Sequence, residues 1–467
     1  MRKLFSWTAG TVFLLCSHTL YADDLTELSK ELKKVKSNYE HRIKALEQRI
    51  ADLEKRKNLS QTMPAAQVAS LRGKSIAPLG QSAPVAAQPI EPVPQARLTN
   101  PSDTVNSERF KLGLSTLFSA GGSSANDAEL ANLQAGGHDP SRNGFTLQNV
   151  ELSITGAVDP YINGYAHLIF MINRGGETVV ELEEAFLTTR ALPYGLQVKS
   201  GQYFTEFGRH NPQHPHSWAF VDQPVALSRF FGGDGLRSQG VRLSWLTPLP
   251  WFSEFTLGAQ NANGETLTSF LWKPAEQIGG YTLIDRGGVR SADDLLWSGR
   301  WLNGWDLSPT ISANLGVSAL VGPNASGTNT NTRIGGLDLY LKWRPVVNAR
   351  GFPFVSWQTE WLARNYETPG ATLNDTGAYT QLLWGFRPRW VAGLRAEYAD
   401  GNASGISDPL RDKRERYSAN LSFYSTEYSK LRLQYNHDRA EHLLGRTADS
   451  VWLQFEFNLG AHAAHKF

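Results

Sequence analysis

The sequence is poor in cysteine and in charged residues. Its 467 residues include one cysteine, Cys16, so no disulfide framework can form within the chain. Charged residues make up only 19% of the chain, and the 46 basic residues nearly balance the 44 acidic ones. This balance lacks the basic excess typical of nucleic-acid binding, and we expect no nucleic-acid partner. The mean hydropathy of −0.35 also argues against a bundle of membrane helices.

The N-terminus has the pattern of a signal peptide. Arg2 and Lys3 precede an apolar run from about Leu4 to Cys16, and the small residue Ala22 follows. The run is too short to span a bilayer. We predict a signal peptide over residues 1–22 and a mature protein that works outside the cytoplasm. A lipid-modified Cys16 is the alternative, although Leu15 stands where a small residue would be expected.

Residues 23–58 have the spacing of a coiled-coil helix. Apolar residues recur at steps of three and four, and charges of both signs occupy the other faces. The seam contains one stutter, between its two halves. Because this helix has a single apolar stripe, it needs partner copies to cover it. The seam consists of Leu25, Leu28, Leu32, Val35, Tyr39, Ile43, Leu46, Ile50 and Leu53.

Residues 59–106 form the next segment, which is rich in proline, alanine and glutamine. The stretch "APLGQSAPVAAQPIEPVPQ" has no periodic apolar pattern with which to build a core. We predict a flexible linker with partial polyproline character.

From residue 107 to 467 the apolar residues alternate with period two. In the last segment, Val451, Leu453 and Phe455 alternate with Trp452 and Gln454. The segments around residues 337–344, 355–362 and 390–398 repeat this pattern. In a strand such alternating sets face opposite sides, here one apolar and one polar or charged. We count roughly sixteen such strands.

These strands are long, follow a signal peptide and lack disulfides. A soluble sandwich would have to hide all of their apolar faces in one core, whereas a transmembrane barrel turns them toward lipid. Short connections, as at Asp159-Pro160 and Arg387-Pro388-Arg389, alternate with longer ones. We predict long loops at 121–143, 208–238, 261–292, 322–332, 367–376, 401–413 and 440–448. The fold class is therefore an all-β, roughly sixteen-stranded antiparallel transmembrane barrel, with both of its ends and the coiled coil in the periplasm.

One segment of the barrel resembles a known porin family. The stretch "VELEEAFLTTRALPYGLQVKSGQYFTEFGR", from Val180 to Arg209, resembles the strand–turn–strand of the phosphate-selective porin O/P family. The order of coiled coil, linker and barrel resembles trimeric porins with an N-terminal periplasmic coiled coil. The terminal Phe467 resembles the insertion signal of outer-membrane proteins. The resemblance implies a homotrimer in outer-membrane lipid, with a pore for small-molecule or ion solutes in each protomer.

The function that best fits the barrel pattern and the porin resemblance is passive diffusion of small hydrophilic solutes, filtered by size and charge and without a cofactor. The stretch "HNPQHPHSWAFVDQPVALSRFFGGDGLRSQG" also resembles outer-membrane proteins labelled as zinc-regulated receptors, so a plugless receptor linked to zinc uptake is the alternative. We expect no enzyme, because the neighbours His216 and Ser217 would rarely form a nucleophile–base pair. A receptor with a plug is not favoured, because it would need about 22 strands and a folded plug.

The loop after the fifth strand carries the candidate constriction. In trimeric general porins the third loop folds into the lumen, and the resemblance implies the same here. The candidate constriction residues are Arg209, His210, His214, His216, Asp222, Arg229, Asp234 and Arg237. Because histidine changes charge between about pH 5 and 8, we expect selectivity to shift toward anions as the pH falls.

The same histidines could be metal ligands, with Asp222 as a fourth. Pro212 and Pro215 exclude a helix or an inner strand that would aim all three rings at one point. We therefore assign no metal ligand here.

Lumen-facing charges should decide the selectivity of the pore. Basic and acidic residues nearly balance in 107–467, and no ladder of basic residues stands out, so phosphate selectivity is not favoured. The lumen-facing candidates are Asp338, Lys342, Arg344, Glu360, Arg395, Glu397, Arg432 and Glu456.

Overall fold

The computed structural model describes residues 110–460, apart from 134–135, 174, 402–407 and 409–410. The predicted signal peptide (1–22), coiled-coil helix (23–58) and linker (59–106) lie outside the described residues. The same is true of Phe467 at the C-terminus.

Sixteen antiparallel strands form one closed barrel, in which β18 pairs with β1. Closure leaves no strand with unpaired backbone groups at an edge, as a lipid environment requires. The predicted fold class is confirmed. The barrel strands are β1 (Phe110–Ser123), β2 (Gly144–Ala157), β3 (Ile162–Ile172), β4 (Thr178–Thr189), β5 (Leu196–Phe204), β6 (Arg237–Leu246), β7 (Phe252–Asn261), β10 (Leu295–Ser308), β11 (Ile311–Pro323), β12 (Asn331–Trp343), β13 (Phe354–Thr368), β14 (Ala371–Arg387), β15 (Trp390–Gly401), β16 (Arg414–Thr426), β17 (Ser429–Ala440) and β18 (Thr447–Gly460).

The remaining elements lie in the connections. Strands β8 (Gln277–Ile278) and β9 (Tyr281–Thr282) pair with each other between β7 and β10. Helix α1 (Asp127–Leu133) follows β1, and helix α2 (Val225–Phe231) lies between β5 and β6. Three short 3-10 turns cover Pro193–Gly195, Pro215–Ser217 and Ala292–Asp294. None of the helices among the described residues is long and apolar enough to cross a membrane.

The alternation in the sequence becomes the two faces of the barrel wall. In β18, Val451 and Leu453 are exposed on the outside, while Trp452 and Gln454 are buried inside. Strands β12, β13 and β15 show the same arrangement, so the predicted faces of all four strands are confirmed. An outer surface of exposed leucine, valine and tryptophan around a charged interior is the pattern of a barrel in lipid.

The two ends of the barrel differ in their connections. Because the number of strands is even, β1 begins and β18 ends at the same end, called here the terminal end; the opposite end is the loop end. At the loop end, residues 124–143, 205–236 and 262–294 form the three longest connections. At the terminal end most turns are short, although residues 344–353 between β12 and β13 form a longer one.

One predicted loop is wrong. Residues 367–376 were expected to form a long connection, but β13 and β14 pair as far as Thr368 and Ala371 and leave only two residues between them. Polar pairs continue the ladder, as where Asn365 donates to Asn374 at 2.5 Å. Beyond the lipid an outward side chain need not be apolar, so the alternation fades while the strands continue.

The lipid-facing surface generates a test of the fold. Leu394 in β15 is 59% exposed on the outer wall, about four residues above Trp390 at the terminal end. We expect Leu394→Arg to destabilise the folded barrel in lipid by about 2–4 kcal/mol, because it places a cation in hydrocarbon. Urea titrations of protein refolded into vesicles measure this energy.

Leu444, which is 98% exposed in the connection between β17 and β18, provides the matched control. Leu444→Arg should leave the folding energy within about 0.5 kcal/mol of the parent protein. Equal losses at the two positions would contradict the placement of the outer wall.

Candidate functional site: a loop docked inside the barrel

The connection between β5 and β6, residues 205–236, crosses the interior of the barrel and is called here the crossing loop. Its backbone is held by side chains of the opposite wall. The N–H of Val225 donates to Glu397 on β15 at 2.6 Å, and Arg432 on β17 donates to the carbonyl of Trp218 at 2.8 Å. In the closed strand order, β15 and β16 lie opposite β5 and β6. The expectation that this loop folds inward therefore agrees with the structure.

Asp222 is the centre of the docking contacts. One carboxylate oxygen accepts from Arg395, and the other accepts from Arg416 at 2.9 Å. Gln434 and Asn436 on β17 each donate to the same carboxylate at 3.0 Å. Asp222 is 0% exposed, so its charge depends entirely on these partners. Burial opposes its ionisation, but Arg395 and Arg416 outweigh burial and hold the pKa of Asp222 below its usual value.

A second docking contact fixes the start of the loop. Glu360 on β13 accepts the N–H of Arg209 at 3.1 Å and the N–H of His210 at 2.8 Å, and Tyr379 donates its hydroxyl to the same oxygen at 2.6 Å. Gly208 has a positive φ of 60°, and a Cβ on it would collide with the Glu360 carboxylate. The tight approach of the loop to the wall therefore requires glycine at 208.

The loop-end side of the crossing loop packs into an apolar core inside the barrel. Helix α2 contributes Leu227, Phe230 and Phe231, and the connection between β7 and β10 contributes Leu267 and Phe270. Inward side chains of β10 to β14 complete this cluster: Leu296, Leu320, Ile334, Leu362, Tyr366, Leu373 and Tyr379. A barrel expected to hold polar side chains and water thus contains a hydrophobic core in one part of its lumen.

This packing closes part of the cross-section. Every residue from 220 to 231 is buried, and so are the charged wall residues Arg395, Glu397 and Arg416 that face them. A loop that lined an open pore would turn one face toward water. The partly exposed Glu206 of the crossing loop lies instead toward the terminal end, where it pairs with the buried Lys199 at 3.4 Å and with the buried Arg242.

Imidazoles and carboxylates gather where the crossing loop meets β2, β3 and β4. His214 donates through Nδ1 to Glu183 at 2.7 Å and through Nε2 to Glu184 at 3.0 Å. Nε2 of His167 lies 3.5 Å from Glu151 and 3.6 Å from Glu183. We call this group the imidazole–carboxylate cluster; it consists of His138, Glu151, His167, Glu183, Glu184, His214 and His216.

A β-bulge brings two consecutive glutamates into this cluster. Opposite β4, His167 pairs with Glu184 and Leu168 pairs with Leu182, so Glu183 is the extra residue. In a regular strand Glu183 and Glu184 would face opposite sides, but the bulge turns both inward. A strict period of two offers only one of them to the lumen. Sequence reasoning therefore missed this pair, together with His138 and His167.

The donor atoms of three cluster residues are close enough to share one metal ion. The donors of His167, Glu183 and His214 all lie within 4.8 Å of one another. The set considered from sequence, three loop histidines with Asp222, is not brought together. Asp222 instead lies with Arg395 and Arg416, and His210 packs against Trp218 and Tyr379.

Two of the three loop histidines do not behave as expected for a pH sensor. Burial, with a contribution from Arg395, lowers the pKa of His210 to about 3. Burial opposes the charge of His214, but Glu183 and Glu184 outweigh it and raise the pKa of His214 well above its usual value. His210 therefore stays neutral from pH 5 to 8 and cannot contribute a shift of selectivity in that range, whereas the two glutamates make His214 harder to deprotonate than a free imidazole.

The other constriction candidates of the sequence lie along the docked loop. Arg209 stacks on Tyr340, with its guanidinium carbon 3.8 Å from the ring centre. Arg229 donates to the carbonyls of Arg411 and Asp412 at 3.1 and 2.6 Å. Toward the loop end, Asp234 lies 3.8 Å from His138, Arg237 pairs with Glu181 at 2.8 Å, and His216 pairs with Glu151.

Six of the eight lumen-facing candidates are buried, and four of these six form ion pairs. Asp338 pairs with Arg300 at 2.7 Å and Glu456 with Lys430 at 2.5 Å. Arg395 and Arg432 hold the crossing loop, as do Glu360 and Glu397. Lys342 is only partly buried and lies 5.2 Å from the centre of the Phe354 ring. Arg344 is exposed beyond the end of β12, so its placement on the lumen wall is wrong: the strand ends at Trp343.

The chain is similar in sequence to an uncharacterized protein and in fold to an outer-membrane channel. No family model matches the chain. A protein of Aquifex aeolicus (strain VF5), described only as an uncharacterized protein, is 33% identical over 387 residues, which are 75% of this chain and 78% of that protein. The chain belongs to the same family as this protein.

Among solved structures, the outer membrane channel DcaP of Acinetobacter baumannii has a TM-score of 0.50 at 10% identity, over 75% of this chain and 96% of that one. OprB of Pseudomonas putida has a TM-score of 0.48 at 12% identity, over 75% and 94%. The anion-selective porin from Comamonas acidovorans has a TM-score of 0.47 at 10% identity, over 75% and 98%. At these identities the likeness to DcaP concerns the fold alone, which is that of an outer-membrane channel barrel.

Removal of the central carboxylate should release the crossing loop. Asp222→Ala leaves Arg395 and Arg416 buried without the partner between them, and we expect a loss of about 3 kcal/mol in the free energy of unfolding. Hydrogen exchange should show faster opening of residues 220–231 than of the barrel strands. Asp293→Ala, in an exposed part of the connection between β7 and β10, is the control and should change little. Unchanged exchange in Asp222→Ala would contradict the docking role.

The buried His210 should make the fold sensitive to acid. Its folded pKa of about 3 lies below the ordinary value of 6.5, so its contribution is complete above pH 6.5 and is lost as the pH falls. Between pH 7.5 and 5 the parent protein should lose about 2 kcal/mol through this group. We expect His210→Gln to lose less over the same interval, measured by urea unfolding at both pH values. Parallel losses in the two proteins would show that His210 is not buried in neutral form.

Proposed function

We propose that the protein is an outer-membrane porin through which small hydrophilic solutes diffuse passively. The supporting observation is the combination of a closed barrel, an exposed apolar exterior and an interior of paired charges around an inserted loop. The apolar outer wall suits lipid, and the charged lumen suits hydrated solutes rather than lipids. The long loops then lie outside the cell, and the terminal end faces the periplasm.

We further propose that the solutes pass beside the crossing loop rather than through its centre. The wall side chains around Asp222 are buried against the loop and are therefore not available to a solute: Arg395, Glu397, Arg416, Gln434 and Asn436. Partly exposed side chains line the lumen elsewhere: Glu206, Arg209, Tyr340 and Lys342. Two of these are basic and one is acidic, which supports a slight preference for anions in the terminal half.

A homotrimer is part of this proposal. The predicted coiled coil at residues 23–58 needs partner copies for its apolar seam, and three barrels side by side would share one such bundle. Small solutes and ions, together with the lipid of the outer membrane, are the only partners that this function requires.

Recordings from planar bilayers test the proposal. Purified protein should insert as ion channels whose conductance rises in groups of three equal steps. Silence from a correctly folded trimer would remove the porin assignment, and single steps would remove the trimer.

The position of the pathway can be tested separately. We expect Lys342→Glu to move the reversal potential in a salt gradient toward cation selectivity, because Lys342 is partly exposed on the lumen wall. Lys273→Glu makes the same change of charge in an exposed outer connection and should have a much smaller effect. Equal shifts in the two variants would place the selective part of the pathway elsewhere.

A further inference from the structure

The imidazole–carboxylate cluster contains more titratable groups than the docking of the loop requires. His214 joins the crossing loop to β4, through Glu183 and Glu184. His167 on β3 adds nothing to that link, since it belongs to the wall, as Glu183 does. It nevertheless places its Nε2 toward the carboxylates of Glu151 and Glu183, and it is only 2% exposed.

Three ring nitrogens of two buried imidazoles in this cluster also lack a hydrogen-bond partner among the described residues, although Nδ1 of His167 lies 3.1 Å from the hydroxyl of Tyr165. Nε2 of His167 and both ring nitrogens of His138 have no hydrogen bond within the described part of the chain. Nε2 of His138 lies 3.8 Å from Glu183, which is too far for a hydrogen bond. Buried polar atoms are nearly always paired, so unpaired nitrogens aimed at carboxylates indicate a missing partner.

We propose that His167, Glu183 and His214 bind a divalent transition-metal ion of the zinc class at the junction of the crossing loop and the barrel wall. Their donor atoms lie within 4.8 Å of one another, so modest side-chain movement brings all three onto one ion. Two imidazoles and one carboxylate leave a fourth tetrahedral position open. Two further carboxylates are near that position: Glu184 lies 3.0 Å from Nε2 of His214, and Glu151 lies 3.5 Å from Nε2 of His167.

The donor set selects the class of metal. Calcium and magnesium prefer six or more oxygen ligands, and two imidazoles do not suit them. Imidazole nitrogen suits zinc, copper, nickel and iron. No cysteine is present in the cluster, so a thiolate-preferring ion such as copper(I) has no particular advantage.

The metal would fasten the loop to the wall. His214 belongs to the crossing loop, whereas His167 and Glu183 belong to neighbouring strands β3 and β4. An ion that bridges them replaces a hydrogen-bonded contact with coordinate bonds. Metal binding should therefore make the segment around residues 212–218 less accessible to exchange, with no change in the barrel strands.

The alternative is that the loop is attached to the wall without a metal ion. In that case His214 binds Glu183 and Glu184 through hydrogen bonds alone, and His167 has no role in any binding event. The two cases differ most clearly in His167→Gln, which keeps every hydrogen bond of His214 to the two glutamates.

Metal binding to the full-length, tag-free protein in detergent tests the site. Isothermal titration with Zn²⁺ should show one equivalent per protomer that is absent in Glu183→Gln and at least tenfold weaker in His167→Gln. Co²⁺ should give the visible absorption of a tetrahedral site in the parent protein only. Mg²⁺ and Ca²⁺ should give no binding at this site.

His437→Gln is the matched control. His437 also pairs with a carboxylate, Asp449 at 2.8 Å, but it is more exposed, and within the described part of the chain it belongs to no group of three histidine, cysteine or carboxylate donors. The His437→Gln variant should bind Zn²⁺ as the parent protein does. Each variant must first show the folded, heat-modifiable band of a barrel on a gel.

Absence of a stoichiometric Zn²⁺ equivalent in the folded parent protein would overturn the site, as would an equivalent that survives in both His167→Gln and Glu183→Gln. Because the readout is binding rather than conductance, this outcome is independent of the porin proposal. A silent bilayer leaves the metal site standing, and a metal-free protein leaves the channel standing.

Discussion

The closure of the sheet, in which each barrel strand pairs with two neighbours, is the constraint on which the rest of this structure depends. Hydrocarbon offers no partner to a free N–H or C=O, so the chain closes β18 onto β1 and keeps a period of two around the ring. That period sends each second side chain inward. The charges that cannot face lipid, such as Arg395 and Arg416, are collected in the lumen, where they need partners. The crossing loop supplies one of them in Asp222.

The docked loop has a polar and an apolar surface because the lumen wall that it contacts has a polar and an apolar part. Against β15 to β17 it is held by buried charges and amides, which fix one register because each partner has a direction. Against β10 to β14 it is held by Phe230, Phe231 and their apolar neighbours, which contribute burial but little direction. The polar contacts therefore determine where the loop lies. The apolar contacts make its withdrawal costly.

The barrel could be predicted from the sequence because its signal repeats. Val451 to Leu459 alternate for one simple reason, and that reason applies to every strand. The end of β13 could not be predicted in this way, since alternation stops where lipid stops although pairing continues. The cluster at His167 and Glu183 was also beyond reach, because a single extra residue in β4 reverses the parity of the residues after it. The docking of Asp222 could not be predicted either, because its partners lie about 170 to 215 residues further along the chain.

The crossing loop also has a mechanical consequence. A closed ring of strands resists stretching along its hydrogen bonds, but it can be flattened into an ellipse with little change in them. Because the loop is attached to β4 through His214 and to β15 and β17 through Val225 and Trp218, it spans a diameter of the ring. It therefore opposes flattening of the barrel under the lateral pressure of the membrane. A change in the cross-section of the barrel must then displace the loop, and displacement of the loop must change the cross-section.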